Sequence, residues 1–446
     1  MADILCHFCY HSNVLKSAIE IVTTLQKAGH KAYFAGGCVR DMILKVEPKD
    51  YDIATSARPE EIEAMFEKTI PVGKSFGVIF THLNGHNFEI ATFRSDSGYS
   101  DGRRPDAVIF THAEEDAKRR DFTINGLFYD PITDEIHDFV GGRNDIENKL
   151  IRFIGTPHER ILEDHLRIIR AIRFKNTLGF GYHPDTYQAI KKHAQLADKV
   201  SWERVRDELN KIISCSMAAV AFEDFQDTGV LPYILPELEE CKGVAQPAEY
   251  HHEGDVWTHL MQSLSSLPKD ASLTARWAVI FHDIGKPETF KIAERIRFDN
   301  HSSISAEIAE KIMRRLKFPR REIERITWVV KHHFMMLELL KMPLGRQRHW
   351  FLNDGFPDLL LLFYADAAGT SPTDLSLFEQ VKAAYEECLY HFPEMPKAFL
   401  SGEEIMKILA LKPGPKIGEI TKSLIEKQLS HEIKSREEAI KWLKII

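Results

Sequence analysis

Two aspartates one residue apart, Asp50 and Asp52, follow a glycine pair in the stretch Gly36-Gly37-Cys38-Val39-Arg40-Asp41 … Asp50-Tyr51-Asp52. Strand side chains alternate faces, so residues two apart point the same way. Asp50 and Asp52 are therefore expected to share one edge while Tyr51 turns into a core. Two hard carboxylates on one edge suit Mg²⁺, which takes few protein ligands and completes its shell from water and phosphate. A Gly-Gly just upstream lets backbone amides approach a triphosphate. The pattern points to nucleotidyl transfer at a two-metal site. The bland alternative is a solvated D-x-D in the turn after Pro48-Lys49, and the glycine pair weighs against it.

The flanking pattern reads as an α/β head. Apolar residues Leu15, Ile19, Val22 and Leu25 recur at helical spacing over 12–29. A strand is expected over 31–35, a helix over 39–44, a strand over 51–54 opening at the aspartates, and a helix over 59–66 entered through Ser56. Strands over 78–83 and 87–92 join at Asn84-Gly85 like a hairpin. The second of these is expected beside the D-x-D strand, which would make Glu89 a third carboxylate at the metal edge; the alternative is an exposed strand glutamate. From about residue 141 strands are expected to stop, and helical patterns run to the C-terminus.

Composition bounds the rest. The 446 residues suffice for several domains, and 44% hydrophobic with 28% charged residues is ordinary for globular protein. No apolar run approaches the roughly 20 residues of a membrane span, and no basic region leads into an apolar core at the start of the sequence. With six scattered cysteines, a reducing cytoplasm is the expected location. Cys6-His7-Phe8-Cys9 has the shape of half a zinc site without a second half. With a formal net charge of −8, a nucleic-acid partner would need local basic patches. Candidates are Arg167, Arg170, Arg173, Lys175 and Lys191-Lys192, then Arg314, Arg315, Lys317, Arg320 and Arg321; solvated faces are the alternative.

Five blocks in order then resemble the class II tRNA nucleotidyltransferase/poly(A) polymerase family over roughly residues 20–235. They are the Gly36-to-Asp52 segment; Arg119-Arg120-Asp121-Phe122-Thr123-Ile124-Asn125, followed by Gly126 where the family often has Ala; Asp138-x-x-Gly141-Gly142-x-x-Asp145; Glu163-Asp164-x-x-Arg167; and Ser201-x-Glu203-Arg204 with Glu208, which the resemblance places under the fourth block. The resemblance implies a polymerase beta-like head with a small mixed sheet and a helical neck. It implies catalysis by Asp50, Asp52 and Glu89 with Mg²⁺. The implied nucleotide-binding set is Gly36, Gly37, Arg40, Arg120, Asp121, Asn125, Glu163, Asp164, Arg167, Arg170 and Arg173. Asp164 and Arg167, three apart on one expected helix, are expected to read the Watson–Crick edge of the incoming base as acceptor and donor. The polar stretch 94–106 resembles the family's flexible loop, which accompanies the switch from C to A addition. The implied partners are tRNA, CTP and ATP.

Residues 250–370 carry another constellation: His259, His282-Asp283-Ile284-Gly285-Lys286, His301, His332-His333 and Asp366. Imidazole and carboxylate donors suit a divalent transition metal, and the series resembles the HD phosphohydrolase superfamily. His259, His282, Asp283, His301, Asp366 and one of His332/His333, taken as His333, form the expected site. The segment from Leu400 to Gly418 is similar to the tail of the nucleotidyltransferase family, with tRNA contact or plain packing as its two readings. The expected fold class is α/β followed by all-α: head 1–140, helical neck 141–245, HD-type helical domain 246–375 and helical tail 376–446. The expected function is template-independent addition of CCA to tRNA, with a metal-dependent phosphohydrolase behind it. Alternatives are an enzyme adding only the terminal A, a poly(A) polymerase, or a protein whose main activity is that of the HD site.

Overall fold

A computed structural model describes residues 13–71, 73–98, 102, 107–247, 249, 251–292 and 296–446. The Cys6–Cys9 segment and residues 99–101 and 103–106 of the polar loop lie outside the described residues. The chain falls into two compact units: Met1–Glu208 with Glu223–Ile234, and Leu209–Phe222 with Leu235–Ile446.

The first unit is built on a seven-stranded mixed sheet. Its strands are β1 (Ala32–Ala35), β2 (Ile53–Thr55), β3 (Thr69–Ile70), β4 (Val78–Leu83), β5 (His86–Thr92), β8 (Leu127–Asp130) and β9 (Glu135–Asp138), while β6 (Arg94–Ser97) and β7 (Ala107–Phe110) form a separate ladder. The order is β3-β4-β5-β2-β1-β8-β9. Only β2 and β5 pair in parallel, with Ile53 opposite Ile90; the other neighbours are antiparallel. Phe34, Phe88, Phe93, Phe122, Phe128 and Tyr129 fill the core around this sheet. The helix Asn13–Lys27 lays Leu15, Ile21, Val22 and Leu25 into it.

Three expectations need correction. Ile53, not Tyr51, opens the strand: Asp52 C=O still accepts Ala35 N–H, but Asp50 and Tyr51 belong to the loop before it. The polar stretch from Arg94 is not loop throughout: Arg94 pairs with Phe110 and Asp96 with Val108. Strands also do not stop at 141. β10 (Leu150–Ile151) pairs with β11 (Gly181–Tyr182) in parallel, and β12 (Phe290–Ile292) with β13 (Ile296–Phe298) as a hairpin. Elements of two or three residues leave almost no periodic signal.

In the second unit the helices Val256–Ser266, Leu273–Phe281, His301–Arg315, Arg320–His332 and Phe356–Gly369 pack around Leu260, Trp277, Phe281 and Met313. Asp255 caps the first through Thr258 N–H at 2.9 Å, and Ser272 caps the second. Gly369 lets the first and last of these close together, since a Cβ there would sit 2.5 Å from the Ser263 nitrogen. Leu400, Ile405, Leu424 and Leu443 form a small core for the last three helices. No helix among the described residues is long and apolar enough to cross a membrane.

Candidate functional sites

In the head, the chain leaves β1 at Gly36, whose φ of +77° favours glycine. A Cβ at Gly36 would also stand 2.8 Å from Arg120 Nη1. Gly37 then opens the helix Gly37–Ile43, which carries Arg40. Ala35 N–H donates to Asp52 C=O at 2.9 Å, tying the glycine turn to the D-x-D loop. Tyr51 is buried against Phe34, with ring centroids 5.2 Å apart, while Asp50 and Asp52 keep solvent contact. Continuing the β2–β5 register by one residue sets Asp52 beside Glu89. Asp52 stands against the sheet edge, and partial desolvation, with like charge from Glu89 and Asp50, pushes its carboxyl up to about 6. Glu89 is raised mainly by burial, with Arg120 opposing. A divalent cation would relieve this mutual repulsion, so the donor set fits one. Among the described residues, the clusters with all donor atoms within 4.8 Å lie in the second unit; the Asp50, Asp52 and Glu89 trio is wider than that.

Beside this edge runs a connected polar network. Arg120 bonds Asp116 through two nitrogens at 3.1 Å and lies 5.0 Å over the Phe128 ring. Arg40 donates to Asp41 and, at 2.7 Å, to Asn125 Oδ1. The Asn125 amide donates to Asp121 at 3.1 Å, Arg170 donates to the other Asp121 oxygen at 2.8 Å, and Arg173 pairs with Glu208. Arg40, Arg170 and Arg173 all gather around the Phe174 ring, at 5.2, 5.2 and 3.9 Å. Lys175 pairs with Asp224 at 3.3 Å, so the basic run on the helix Arg167–Leu178 is neutralised internally. In the second basic run, Arg314, Arg315 and Arg320 have carboxylate partners at 2.6–2.7 Å.

Asp164 and Arg167 are not on one helix. The helix Pro157–Glu163 ends there: Asp164 is its extended C-cap, with φ −147° and ψ 105°, and a new helix starts at Arg167. Asp164 accepts Leu166 N–H at 3.1 Å, and His165 N–H donates to Gly102 C=O at 3.3 Å. One local and one long-range bond thus replace the helical ladder. Arg167 is buried, paired with Glu163 at 2.6 Å and bonded to Arg160 C=O. Arg204 grips both Asp164 oxygens, at 3.0 and 2.7 Å.

The second cluster converges at the centre of the helical unit. His259 sits on the helix Val256–Ser266, His282 and Asp283 follow Leu273–Phe281, and Asp366 lies on Phe356–Gly369. His301 opens its helix, and His333 follows the helix ending at His332. Four imidazoles spend Nδ1 on an acceptor: Glu253 for His259 at 3.2 Å, then Val279, Phe298 and Val330 carbonyls for His282, His301 and His333 at 2.7–2.9 Å. That pairing assigns the ring proton to Nδ1 and leaves each Nε2 with a bare lone pair. These lone pairs face one another: 3.2 Å between His259 and His282, and 3.2 Å between His301 and His333. Bare nitrogens converging at that distance repel unless a cation lies among them.

The carboxylates complete the set. Asp366 Oδ1 is 3.1 Å from His259 Nε2 and 3.7 Å from His282 Nε2. Asp283 divides its oxygens: Oδ2 lies 3.4 Å from His282, and Oδ1 lies 3.4 Å from His301 and 3.9 Å from His333. Two groups of donors result, His259–His282–Asp366 and Asp283–His301–His333, and these nitrogen and oxygen donors fit divalent metal. Burial opposes charge on His259, yet Asp366 and Glu253 favour positive charge there and raise the ring to about 9, so its Nε2 takes up a proton at neutral pH unless a cation occupies that place. Burial and neighbouring His282 push His333 down to about 4. His332 instead turns to the Trp328 carbonyl and packs at a tilt against the Trp328 and Trp350 rings. Lys286 Nζ lies 2.6 Å from Asp283 Oδ2 and 2.7 Å from Gln246 Oε1. A cavity of about 910 Å³ opens onto Asp283, His301, His333 and Asp366.

Asp116, Arg160 and Glu253 are additions to the residues read from sequence. Asp116 is buried and three and four residues before Arg119 and Arg120 on one helix, a spacing that was legible. Arg160 donates to the Arg119 and Arg120 carbonyls. Glu253 lies in a loop, where no periodicity marks it.

Fold and sites define a nucleotidyltransferase-type head followed by an HD-type helical domain. Residues 32–152 match the poly A polymerase head domain, 179–242 the "Probable RNA and SrmB- binding site of polymerase A", and 250–366 the HD domain. The chain is 44% identical over 262 residues to a CCA-adding enzyme of Lactobacillus johnsonii, covering 58% of this chain and 65% of that one. It is 38% identical over 275 residues to one of Geobacillus stearothermophilus, covering 61% and 64%. The matches thus span somewhat under two thirds of these relatives. A crystal structure of the Bacillus stearothermophilus CCA-adding enzyme in complex with CTP superposes with a TM-score of 0.72 at 27% identity, covering 97% of this chain and 98% of that one. The chain is thus similar to the tRNA nucleotidyltransferase/poly(A) polymerase family through its head and RNA-binding segments, and to HD domains over 250–366.

Proposed function

We propose that the head adds C, C and A to tRNA 3′ ends from CTP and ATP without a nucleic-acid template. The observation that carries this reading is Asp52 beside Glu89 on the sheet edge, with Asp50 two residues away and the Gly36 turn held against Arg120. Mg²⁺ bound by these carboxylates would supply charge neutralisation for in-line attack of the RNA 3′ hydroxyl on the α-phosphate, with pyrophosphate leaving. The protein's own groups do the positioning. Arg120 is anchored by Asp116 and presents its guanidinium beside the carboxylate edge. Asp121 and Asn125, held by Arg170 and Arg40, fix the polar wall for sugar and phosphate. Asp164 and Arg167, with Glu163 and Arg173, choose the base. Because Arg204 and Glu163 already hold Asp164 and Arg167, the base meets a preset acceptor and donor.

The relatives named CCA-adding enzymes support this reading over addition of A alone or of poly(A). The deciding experiment supplies CTP, ATP or both to tRNAs lacking CCA, CA or only the final A. Stepwise completion of all three ends is expected; extension of only the last substrate would replace the reading with A addition, and long A tails with poly(A) synthesis.

The divided Asp283 carboxylate favours a second activity, hydrolysis of phosphate esters by a transition-metal pair in the HD domain. Elemental analysis of the purified protein tests it: about two metals per chain are expected, and none would remove it.

A further inference from the structure

Phe334 directly follows His333 in the chain, yet it is 57% exposed. Its ring meets His301 edge-on, with centroids 5.4 Å apart, and lines the cavity of about 910 Å³ that opens onto the HD cluster. Leu337, one helical turn on and 42% exposed, lines the same cavity, as do Phe298, Phe363 and Phe378. The cavity also holds the cations Lys286 and Arg297. It therefore joins two unlike surfaces, a charged cluster suited to phosphate and an apolar, aromatic wall. A free phosphate would leave that wall wet, and a volume near the upper end of small-molecule sites is far larger than phosphate needs. Phe334 and Leu337 together leave an apolar patch exposed at this cavity, beside the metal-type donors, and such patches mark ligand-binding grooves.

Resting on the hydrolytic reading of the HD cluster, we propose that Phe334 is the stacking platform of this cavity and that its substrate is a nucleoside phosphate whose base lies on that ring. Hydrolysis adds the oxygen of water to phosphorus, the P–O bond to the nucleoside breaks, and the proton ends on the released hydroxyl. The nucleoside phosphate arrives either as a free mononucleotide or as the 3′-phosphorylated end of an RNA.

The test uses the metal-replete full chain with adenosine 3′-monophosphate, a short RNA ending in a 3′-phosphate, and glycerol 2-phosphate, which has no ring. The wild type prefers a nucleoside ester by kcat/KM, and the better of the first two names the source. Phe334→Ala lowers the preference for nucleoside ester over glycerol phosphate by about tenfold or more through KM, as expected for loss of one base–aromatic stack. Phe334→Trp restores it. An unchanged preference in Phe334→Ala overturns the platform even if both esters are cleaved. If no ester is cleaved, the hydrolytic reading fails by itself, and calorimetric binding of adenosine 3′-monophosphate to the metal-loaded protein decides the inference. Weaker binding to Phe334→Ala than to wild type supports it, and equal binding overturns it.

Discussion

Arg204 holds both oxygens of Asp164, and Glu163 holds Arg167. The two residues expected to read a base are thus oriented by neighbours, not by each other. The types and positions of both were legible in the sequence, and the resemblance placed the Arg204 block under the Asp164 block; the two-oxygen clamp itself, joining residues 40 apart, leaves no local signal. Removing it as Arg204→Ala should lower discrimination of CTP and ATP against UTP and GTP by about tenfold, within the range for a displaced hydrogen-bonding group. Misincorporation on a tRNA lacking CCA measures this, and unchanged selectivity with lower rate would assign Arg204 to folding alone. Asp121 gives a pH test. Burial alone would raise its carboxyl, but the Arg170 charge and the Asn125 amide outweigh burial and hold it well below the usual range. A carboxylate depressed by folding contributes stability that is present above its unfolded value of about 4 and is lost as pH falls toward the folded value. Asp121→Asn should therefore cost about 1–3 kcal/mol at pH 7, and its Tm should approach that of wild type as pH falls from about 4 to 3. A constant Tm gap across that range would mean that the charge of Asp121 is not what stabilises the wild type.

Among the elements, long amphipathic helices were readable and short irregular ones were not. The spacing of Leu15, Val22 and Leu25 marks a helix that the fold contains. The break at Asp164-His165-Leu166 is invisible to periodicity, since no Gly or Pro stands between Glu163 and Arg167; the bonds that end the helix come partly from Gly102, far away in sequence. The loop before the helix Val256–Ser266 shows the same limit. Its Glu253, whose side chain alone is fully buried, accepts from His251 Nδ1 at 2.6 Å, His259 Nδ1 at 3.2 Å and Ser371 N–H at 2.9 Å. By accepting a hydrogen bond from His259 Nδ1–H, it turns Nε2 toward Asp366 and His282. Carboxylates that orient a metal-binding imidazole in this way raise metal affinity about 10–100-fold. Glu253→Gln should weaken Mn²⁺ or Ni²⁺ binding by that factor while far-UV circular dichroism stays unchanged; an unaltered Kd would reduce Glu253 to an anchor for the Ser371 segment.

Across the whole molecule, chemistry is divided between units that fold around separate cores. The head carboxylates belong to the first unit and the HD donors to the second. Sequence blocks located both, because each is carried by short motifs of distinctive residue types, but the unit boundary cuts through the helix Trp202–Ile213, where nothing in the sequence changes character. Separate sites predict separate responses to metal. Asp283→Ala removes the carboxylate that serves both groups of the cluster, so bound transition metal should fall from about two per chain to near zero. Nucleotide addition to a tRNA with a free 3′ hydroxyl should remain within about twofold of wild type, because the D-x-D edge is built without that residue. Stability should divide in the same way. A metal present at about 100 times its Kd stabilises the domain that binds it by about 2.7 kcal/mol, and in a unit of this size that corresponds to roughly 5–10 °C. Stripping the transition metal with a chelator, then restoring Mg²⁺, should therefore lower one calorimetric transition by that amount and leave a second in place. A single transition shifting as a whole would mean that the two units unfold together, and loss of nucleotide addition in the stripped, Mg²⁺-restored protein would mean that the HD metal supports the head as well.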